Sequence, residues 1–85
     1  MDARDQDQWI LDSGASQHVT NQYKLLYDKS NINEVMEMAN ESTEECKIKG
    51  KVKLRIDNKT IILTDVYYLE SSKNIISLTK FMAKG

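Results

Sequence analysis

Residues Cys46–Ile56 read CKIKGKVKLRI and alternate between basic side chains and small or apolar ones. The basic positions are Lys47, Lys49, Lys51, Lys53 and Arg55. The positions between them are Cys46, Ile48, Gly50, Val52, Leu54 and Ile56. Because successive side chains of a strand point to opposite faces, this period of two predicts a long strand with one solvated and one buried face.

The segments on both sides of this strand also favour β structure. Asp57–Lys59 is a turn candidate, and Thr60–Tyr68 is rich in β-branched and aromatic residues, so the two segments are expected to form a hairpin. A bend is expected near Asp65–Tyr68. Upstream, the β-like pattern starts at Val35, and the polar stretch Asn40–Glu45 separates it from the long strand.

The C-terminal part contains a polar loop, a short strand and a helix. Glu70–Lys73 is the loop and Asn74–Ile76 a short buried strand. Leu78–Lys84 has helical apolar spacing, with Ser77 as its N-cap and Gly85 as its C-terminal cap. The sequence therefore predicts an all-β fold with one short C-terminal helix.

Composition limits the classes of function. The 85 residues allow one small domain, which we place at residues 9–85 after a flexible tail of residues 1–8. No apolar run is long enough to cross a bilayer, so no membrane partner is expected. A single cysteine, Cys46, and a single histidine, His18, exclude an internal disulfide and a Cys/His zinc site. We expect Cys46 to be a small apolar filler of the core and His18 to be a hydrogen-bonded polar residue at its edge. No metal or cofactor is implied.

The residues that point to chemistry follow a short apolar run, Trp9–Leu11, which is expected to be a buried strand. The next three residues, Asp12-Ser13-Gly14, are typical of a tight turn. By itself this tripeptide indicates no more than an Asx-type turn, in which the Asp12 carboxylate accepts hydrogen bonds from nearby amides.

The longer segment Trp9–Thr20, WILDSGASQHVT, resembles the opening of the copia-type retrotransposon proteases, which are retropepsin-like aspartic proteases. A second resemblance covers Val66–Gly85, with a strand, a loop, Asn-Ile-Ile and a helix in the order of the retroviral protease core. Asp65–Tyr68 and Asn74–Ser77 also resemble the copia-type pattern. Ser77 stands where retroviral enzymes have glycine. Copia-type sequences commonly have serine at this position.

This resemblance spans Trp9–Gly85 and implies a retropepsin-like closed β-barrel or sandwich subunit with a flap hairpin. It implies an aspartic endopeptidase that cleaves its own Gag-Pol-type polyprotein, in the cytoplasm within retroelement particles, without a cofactor. Because such enzymes need two carboxylates and this chain has one D-S-G, it also implies a homodimer with one Asp12 from each subunit.

The resemblance further implies roles for the neighbouring residues. Ser13 would bond across the dimer axis, and Gly14 would let the backbone approach the catalytic pair and donate its amide. The residues implied to line apolar subsites are Ile10, Ala15, Val19 and Ile75, and those implied to contact the substrate backbone are Ser16 and Gln17. Each apolar residue alone is equally well explained as part of the core.

The flap would consist of Val35–Ala39 and the start of Cys46–Ile56, with Asn40–Glu45 at its tip. Retroviral enzymes continue past the helix into a strand that interlaces the subunits, whereas this sequence ends at Gly85. A weak dimer is therefore expected.

Three other functions are compatible with parts of the sequence. A truncated or host-retained fold could dimerise or bind peptides without cleaving them. The basic stripe could bind an RNA backbone, but 12 Lys and Arg against 13 Asp and Glu give a net charge of −1, and nucleic acid is not the expected partner. A serine hydrolase would use Ser13 and His18, but the sequence around Ser13 lacks the G-x-S-x-G elbow.

Overall fold

The computed structural model describes residues 8–37 and 41–84, which form one six-stranded sheet and a short helix. The strands are β1 (Ile10–Asp12), β2 (His18–Thr20), β3 (Tyr27–Glu37), β4 (Thr43–Ile56), β5 (Lys59–Tyr68) and β6 (Ile75–Ser77). Helix α1 (Leu78–Lys84) follows β6 directly, and a single 3-10 turn (Tyr23–Leu25) separates β2 from β3. The strand order in the sheet is β1-β6-β2-β5-β4-β3.

Strand β2 joins the two parts of the sheet. It pairs antiparallel with β6 through Val19 and Ile75, and parallel with β5 from His18–Val66 to Thr20–Tyr68. On the other side of β6, β1 runs parallel, and its last residue, Asp12, lies opposite Ser77. The two segments that carry the resemblance are therefore neighbours in the sheet.

The long alternating strand is confirmed. Its inward positions Cys46, Gly50 and Val52 are buried, and the strand pairs with β3 on one side and β5 on the other. The hairpin to β5 turns at Asp57 and Asn58, whose φ angles are 51° and 64°. Two consecutive positive φ angles are typical of the turn that matches the twist of a hairpin, and Asn and Asp tolerate them best after glycine.

The expected bend in β5 is a β-bulge. Gly50 pairs with Val66 and Val52 pairs with Leu63, so β5 has one more residue than β4 between these pairs. Asp65 lies in this interval with a φ of 54°. A bulge of this kind increases the local twist of the strand.

Strand β3 begins at Tyr27, and the expectation that β structure starts at Val35 was wrong. Most of β3 is exposed, with only Tyr27, Ile32 and Met36 half-buried, and its ladder with β4 contains two register shifts. A polar strand with bulges lacks the regular period of two, which explains why the sequence pattern did not indicate it.

The hairpin tip also differs from the expectation. Strand β4 starts at Thr43, so Thr43–Glu45 belong to a strand and not to the tip. The rest of the proposed tip and flap includes residues 38–40, which lie outside the described residues, as do residues 1–7 of the proposed tail and the capping Gly85.

Strand β1 is not buried, contrary to the expectation for Trp9–Leu11. Ile10 is 45% exposed and Leu11 62% exposed, because β1 lies at the edge of the sheet that residues 8–37 and 41–84 form, where β6 is its one neighbour. Trp9 is half-buried and packs against the core. An edge strand has one row of backbone groups with no neighbour in the sheet, which leaves β1 accessible to another chain.

The interior consists of two apolar clusters. The larger one contains Leu26, Val52, Leu63, Val66 and Ile76. The smaller one contains Val19, Cys46, Tyr67 and Leu69, with Ile32, Met36 and Ile75 packed against it. The all-β fold class with one short C-terminal helix is confirmed. In the part of the chain that the structure describes, no helix is long and apolar enough to span a membrane.

Candidate active site

Asp12 lies at the end of β1 and is half-buried at the start of a tight turn. The Gly14 N–H donates to Asp12 Oδ1 at 2.8 Å, and the Ala15 N–H approaches the Asp12 carbonyl oxygen at 3.4 Å. A Cβ atom at Gly14 would lie 3.3 Å from Asp12 Oδ1, a tight contact that glycine avoids. The turn therefore fixes one carboxylate oxygen of Asp12 through the Gly14 amide.

Two hydroxyl groups at the start of helix α1 hold the turn in place. Ser77 Oγ donates to the Ala15 carbonyl oxygen at 2.7 Å, and Thr79 Oγ1 donates to the Ser13 carbonyl oxygen at 3.2 Å. The same Ser77 Oγ accepts from the Lys80 N–H at 3.1 Å, which confirms Ser77 as the N-cap of α1. One buried hydroxyl thus connects the Asp12 turn to the helix.

His18 has the structural role expected for it. It is 2% exposed, and its Nδ1 accepts the Ser77 N–H at 3.0 Å. Ser13, in contrast, is exposed. A buried histidine that holds backbone in place and an exposed serine do not favour a serine hydrolase. Cys46 is fully buried, as expected, and packs in the smaller cluster.

Asn74 fixes the other end of the same strands. Its Oδ1 accepts from Thr20 Oγ1 at 2.7 Å and from the Asn21 N–H at 3.2 Å, while its Nδ2 donates to the Gln8 carbonyl oxygen at 3.1 Å. Asn74 and Thr20 are both buried. The Asn-Ile-Ile-Ser segment is therefore anchored at both ends, by Asn74 to Gln8, Thr20 and Asn21 and by Ser77 to the Asp12 turn.

A groove of about 460 Å³ lies beside the Asp12 carboxylate. One wall is the turn itself, and the predicted site residues there are Asp12, Gly14, Ala15, Ser16 and Gln17. The floor includes Val19 and Ile75, which also pack in or against the smaller core cluster, so each serves both as core and as lining. The structure thus brings together most of the residues predicted for the site.

Ile10 is placed elsewhere. It lines a separate groove of about 800 Å³ together with Asn21 and Tyr23. Ile10 and Val19 pair with Ile75 from opposite edges of β6, so the width of this strand separates them.

The second wall of the 460 Å³ groove is the end of β3, residues Glu34–Glu37. Val35–Glu37 belong to the predicted flap segment, and we call Glu34–Glu37 the hairpin wall. The sequence did not single out Glu34, Leu69 or Ser72, which also line the groove. Glu34 was missed because β3 was expected to begin after it. Of these three residues, only Leu69 had a signal in the sequence that could have indicated burial, since it is an apolar residue directly after β5.

A cluster of charged and polar groups lies around Tyr67, whose hydroxyl donates to Glu34 Oε1 at 3.3 Å. Burial, and then the nearby Glu34 carboxylate, raise the pKa of the Tyr67 hydroxyl. Lys49 Nζ lies 3.3 Å from the Asp65 carboxylate, and this hydrogen-bonded partner raises the pKa of Lys49. Lys49 Nζ also lies 5.8 Å from the Tyr67 ring centroid, within the range of a cation–π contact.

The basic stripe on β4 is partly matched by acidic side chains. Three lysines each lie near one carboxylate, in the pairs Lys47–Glu45 at 4.0 Å, Lys49–Asp65 at 3.3 Å and Lys51–Asp28 at 3.4 Å. This charge balance does not favour an RNA-binding face.

Together these features define a small all-β domain in which the Asp12 turn lies beside a groove of about 460 Å³. The family model described as the beta-barrel domain of Pol polyproteins matches residues 9–85. The chain belongs to this family and is a region derived from a retroelement Pol polyprotein. No curated protein and no solved structure matches the chain.

Proposed function

We propose that this domain is an aspartic endopeptidase of copia type that acts as a homodimer and processes a Gag-Pol-type polyprotein. The observation that carries the proposal is the Asp12 turn. Gly14 and Ser77 hold it in place, and Asp12 opens onto a groove that also contains Ala15, Val19 and Ile75. The match to a Pol polyprotein domain supports the proposal, because a polyprotein is the kind of polypeptide that such a protease would process.

In the proposed mechanism two Asp12 carboxyl groups, one from each subunit, share a single proton. At contact distance the two groups cannot both be ionised, because their negative charges repel each other. The ionised carboxylate takes a proton from a water molecule, whose oxygen attacks the carbonyl carbon of the substrate. The protonated carboxyl donates its proton to the carbonyl oxygen. The resulting tetrahedral intermediate breaks at its C–N bond when a proton is returned to the leaving amine.

The Gly14 amide fixes the orientation of the Asp12 carboxylate, and Ser13 is proposed to bond across the two-fold axis. Ser16 and Gln17 are proposed to bind the substrate backbone, and the hairpin wall is proposed to cover it by strand-like hydrogen bonds. The activity is expected to be highest at mildly acidic pH, because the pair must retain its shared proton.

The test is cleavage of an internally quenched peptide library by the wild-type chain and by Asp12→Asn. The substitution keeps the shape of the side chain but removes the ionisable base, so cleavage is expected to be lost while the thermal unfolding curve is retained. A statine-type inhibitor, which mimics the tetrahedral intermediate, is expected to block the wild-type chain. Cleavage by Asp12→Asn at the wild-type rate contradicts the proposal.

The second candidate function is peptide binding without cleavage. The groove favours it, because its two walls and floor come from a single chain. If the wild-type chain binds peptides but cleaves none at any enzyme concentration, this second function replaces the first.

A further inference from the structure

The groove has an uneven distribution of charge. In addition to Asp12, its described lining residues include two carboxylates of the hairpin wall, Glu34 and Glu37, and no lysine or arginine. Its floor is apolar, with Val19, Leu69 and Ile75. A ligand that fits both features has an apolar part and a positive charge, since carboxylates form their strongest hydrogen bonds and ion pairs with cationic partners.

Glu34 is held in a defined position. Its Oε1 accepts the Tyr67 hydroxyl at 3.3 Å, and Tyr67 is only 6% exposed. Because burial raises the pKa of this hydroxyl, Tyr67 stays protonated and remains a donor over the whole neutral range. The bond uses one oxygen of Glu34, and the second oxygen has no partner within residues 8–37 and 41–84. A carboxylate fixed in this way loses less side-chain entropy when it binds a ligand.

The two nearby cations are directed to other groups. Lys49 Nζ lies 3.3 Å from the Asp65 carboxylate, and Lys80 Nζ donates to the Asp65 carbonyl oxygen at 2.8 Å and to Gln17 Oε1 at 3.1 Å. Both ammonium groups lie 5.8 Å from the Tyr67 ring centroid. Both therefore lie within cation–π range of the tyrosine that positions Glu34. After the Asp65 carboxylate, the Glu34 charge contributes to the raised pKa of Lys49, but the described residues contain no ion pair to Glu34.

A metal ion is not the cation that this arrangement suggests. Among the described residues, no three His, Cys, Asp or Glu side chains are grouped so that they could hold one. A single fixed carboxylate beside apolar lining is better matched to an ammonium or guanidinium group on an aliphatic stem. Such a stem can lie along Met36 while its charged end reaches Glu34.

We propose that Glu34 is a specificity-determining residue and that it binds a lysine or arginine side chain of the polypeptide substrate next to an apolar residue seated on the groove floor. This inference rests on the proposed function, because it assigns a substrate class to the same groove.

The test uses pairs of quenched peptides that are identical except for Lys or Gln at one position near the cleaved bond. The wild-type chain is expected to cleave the Lys peptide with about tenfold higher kcat/KM, as for one charge-assisted hydrogen bond. In Glu34→Gln this ratio is expected to fall to about one. Tyr67→Phe keeps the ring but releases Glu34, so an intermediate ratio is expected.

The matched control is Glu45→Gln. Glu45 is an exposed carboxylate on the same hairpin, opposite Val35, but it does not line the groove. This variant is expected to keep the wild-type ratio. Equal cleavage of Lys and Gln peptides by the wild-type chain at every position overturns the inference while leaving the endopeptidase proposal intact.

A second measurement separates the two proposals. The non-cleaving Asp12→Asn chain is titrated with fluorescent forms of the same peptides, and binding is followed by fluorescence polarisation. One possible result is that the wild-type chain cleaves no peptide, while Asp12→Asn binds the Lys peptide more tightly than the Gln peptide and the double variant Asp12→Asn/Glu34→Gln does not. In that case the groove assignment stands and the enzymatic function fails. Absence of any preference in binding and in cleavage overturns the assignment.

Discussion

At the scale of single residues, Ser77 makes hydrogen bonds to three other residues around the Asp12 turn, which its position in the sequence does not indicate. Its N–H binds His18, and its hydroxyl donates to Ala15 and accepts from Lys80. The side chain is fully buried, so water cannot replace these bonds. A glycine here would provide the backbone bond to His18 but neither of the two hydroxyl bonds.

Ser77→Ala is expected to lower the free energy of unfolding by about 1–3 kcal/mol, because it removes the helix cap and leaves the Ala15 carbonyl oxygen without its donor. Cleavage is expected to slow as well, since the Asp12 turn is released. Urea unfolding followed by circular dichroism measures the first effect. The control Ser30→Ala, at an exposed position of β3, is expected to stay within about 0.5 kcal/mol of wild type. Equal stability of the two variants contradicts the role of Ser77.

Tyr67 predicts the direction of a pH effect on stability. Burial raises its pKa in the folded chain above the ordinary value, so the folded state favours the protonated hydroxyl. This contribution is fully present below the unfolded pKa of about 10 and is lost as pH rises through the higher folded value. The pKa of Lys49 is raised by its hydrogen bond to Asp65, and it acts in the same direction.

Melting temperature is therefore expected to fall above a pH of about 10, and the fall is expected to be smaller in Tyr67→Phe, which has no hydroxyl to ionise. Thermal unfolding over a series of alkaline buffers measures this. The matched control is Tyr23→Phe, because Tyr23 is an exposed tyrosine. A fall of equal size in wild type and Tyr67→Phe shows that Tyr67 does not contribute.

At the scale of the elements, sequence periodicity predicted the parts of the sheet that are buried on one face. Strand β4 alternates from Cys46 to Ile56, and Asp57 and Asn58 are typical turn residues, so the turn of the β4–β5 hairpin was predicted to within one residue, while β4 starts three residues earlier than expected. Strand β3 was not predicted in full, because it is polar along most of its length and its bulges shift the register. The hairpin wall of the groove was consequently predicted only in part.

Gly50 shows how closely β3 and β4 approach each other. A Cβ atom at this position would lie 2.8 Å from the Tyr27 carbonyl oxygen and 3.4 Å from the Lys29 Cα atom. Because both neighbours are backbone atoms at the start of β3, they cannot move without shifting the strand.

Gly50→Ala is expected to destabilise the fold by about 1–3 kcal/mol, the usual cost of overpacking a tight interior. Chemical denaturation measures the loss, and amide hydrogen exchange is expected to be fastest in the β3–β4 ladder. Lys53→Ala, at an exposed position of the same strand, is the control and is expected to change stability by less than about 0.5 kcal/mol. Wild-type stability in Gly50→Ala would show that β3 can move away freely.

At the scale of the whole molecule, the site depends on contacts between distant parts of the chain. The Asp12–Thr20 and Asp65–Ser77 segments become adjacent because β2 pairs with both β5 and β6. No local pattern predicts such pairing, since β1, β2 and β6 have only three residues each. The resemblance of both segments to one family indicated it, and the residues that lock it, Asn74 and His18, belong to the same motifs.

Each chain provides one Asp12 turn, and apolar side chains on the adjoining β1 and α1 are exposed. Leu11 on the edge strand is 62% exposed, and Phe81 and Met82 on α1 are 42% and 72% exposed. Thr79 of the same helix contacts the Ser13 carbonyl oxygen, so α1 and the Asp12 turn are adjacent. This surface is consistent with the proposed two-fold contact, in which both Asp12 turns meet at the axis.

Mixing wild-type chain with Asp12→Asn tests whether two chains share one catalytic pair. At concentrations where sedimentation finds dimers, an equal mixture forms mixed dimers that contain only one aspartate. If both aspartates are required, activity is expected to be about one quarter of that of the same total amount of wild-type chain, because only wild-type pairs are active. If each chain acts alone, activity is expected to be about one half.

Two further measurements accompany the mixing experiment. The wild-type chain alone is diluted, and a control mixture is prepared in which Glu45→Gln replaces Asp12→Asn. Because the active species is a pair, activity per chain is expected to fall on dilution as the dimer dissociates. The Glu45→Gln mixture is expected to keep the full activity of the wild-type chain, since both of its aspartates are present in every dimer. One half of the activity in the Asp12→Asn mixture, together with activity proportional to enzyme concentration and a monomer in sedimentation, would rule out the shared pair of Asp12 carboxylates.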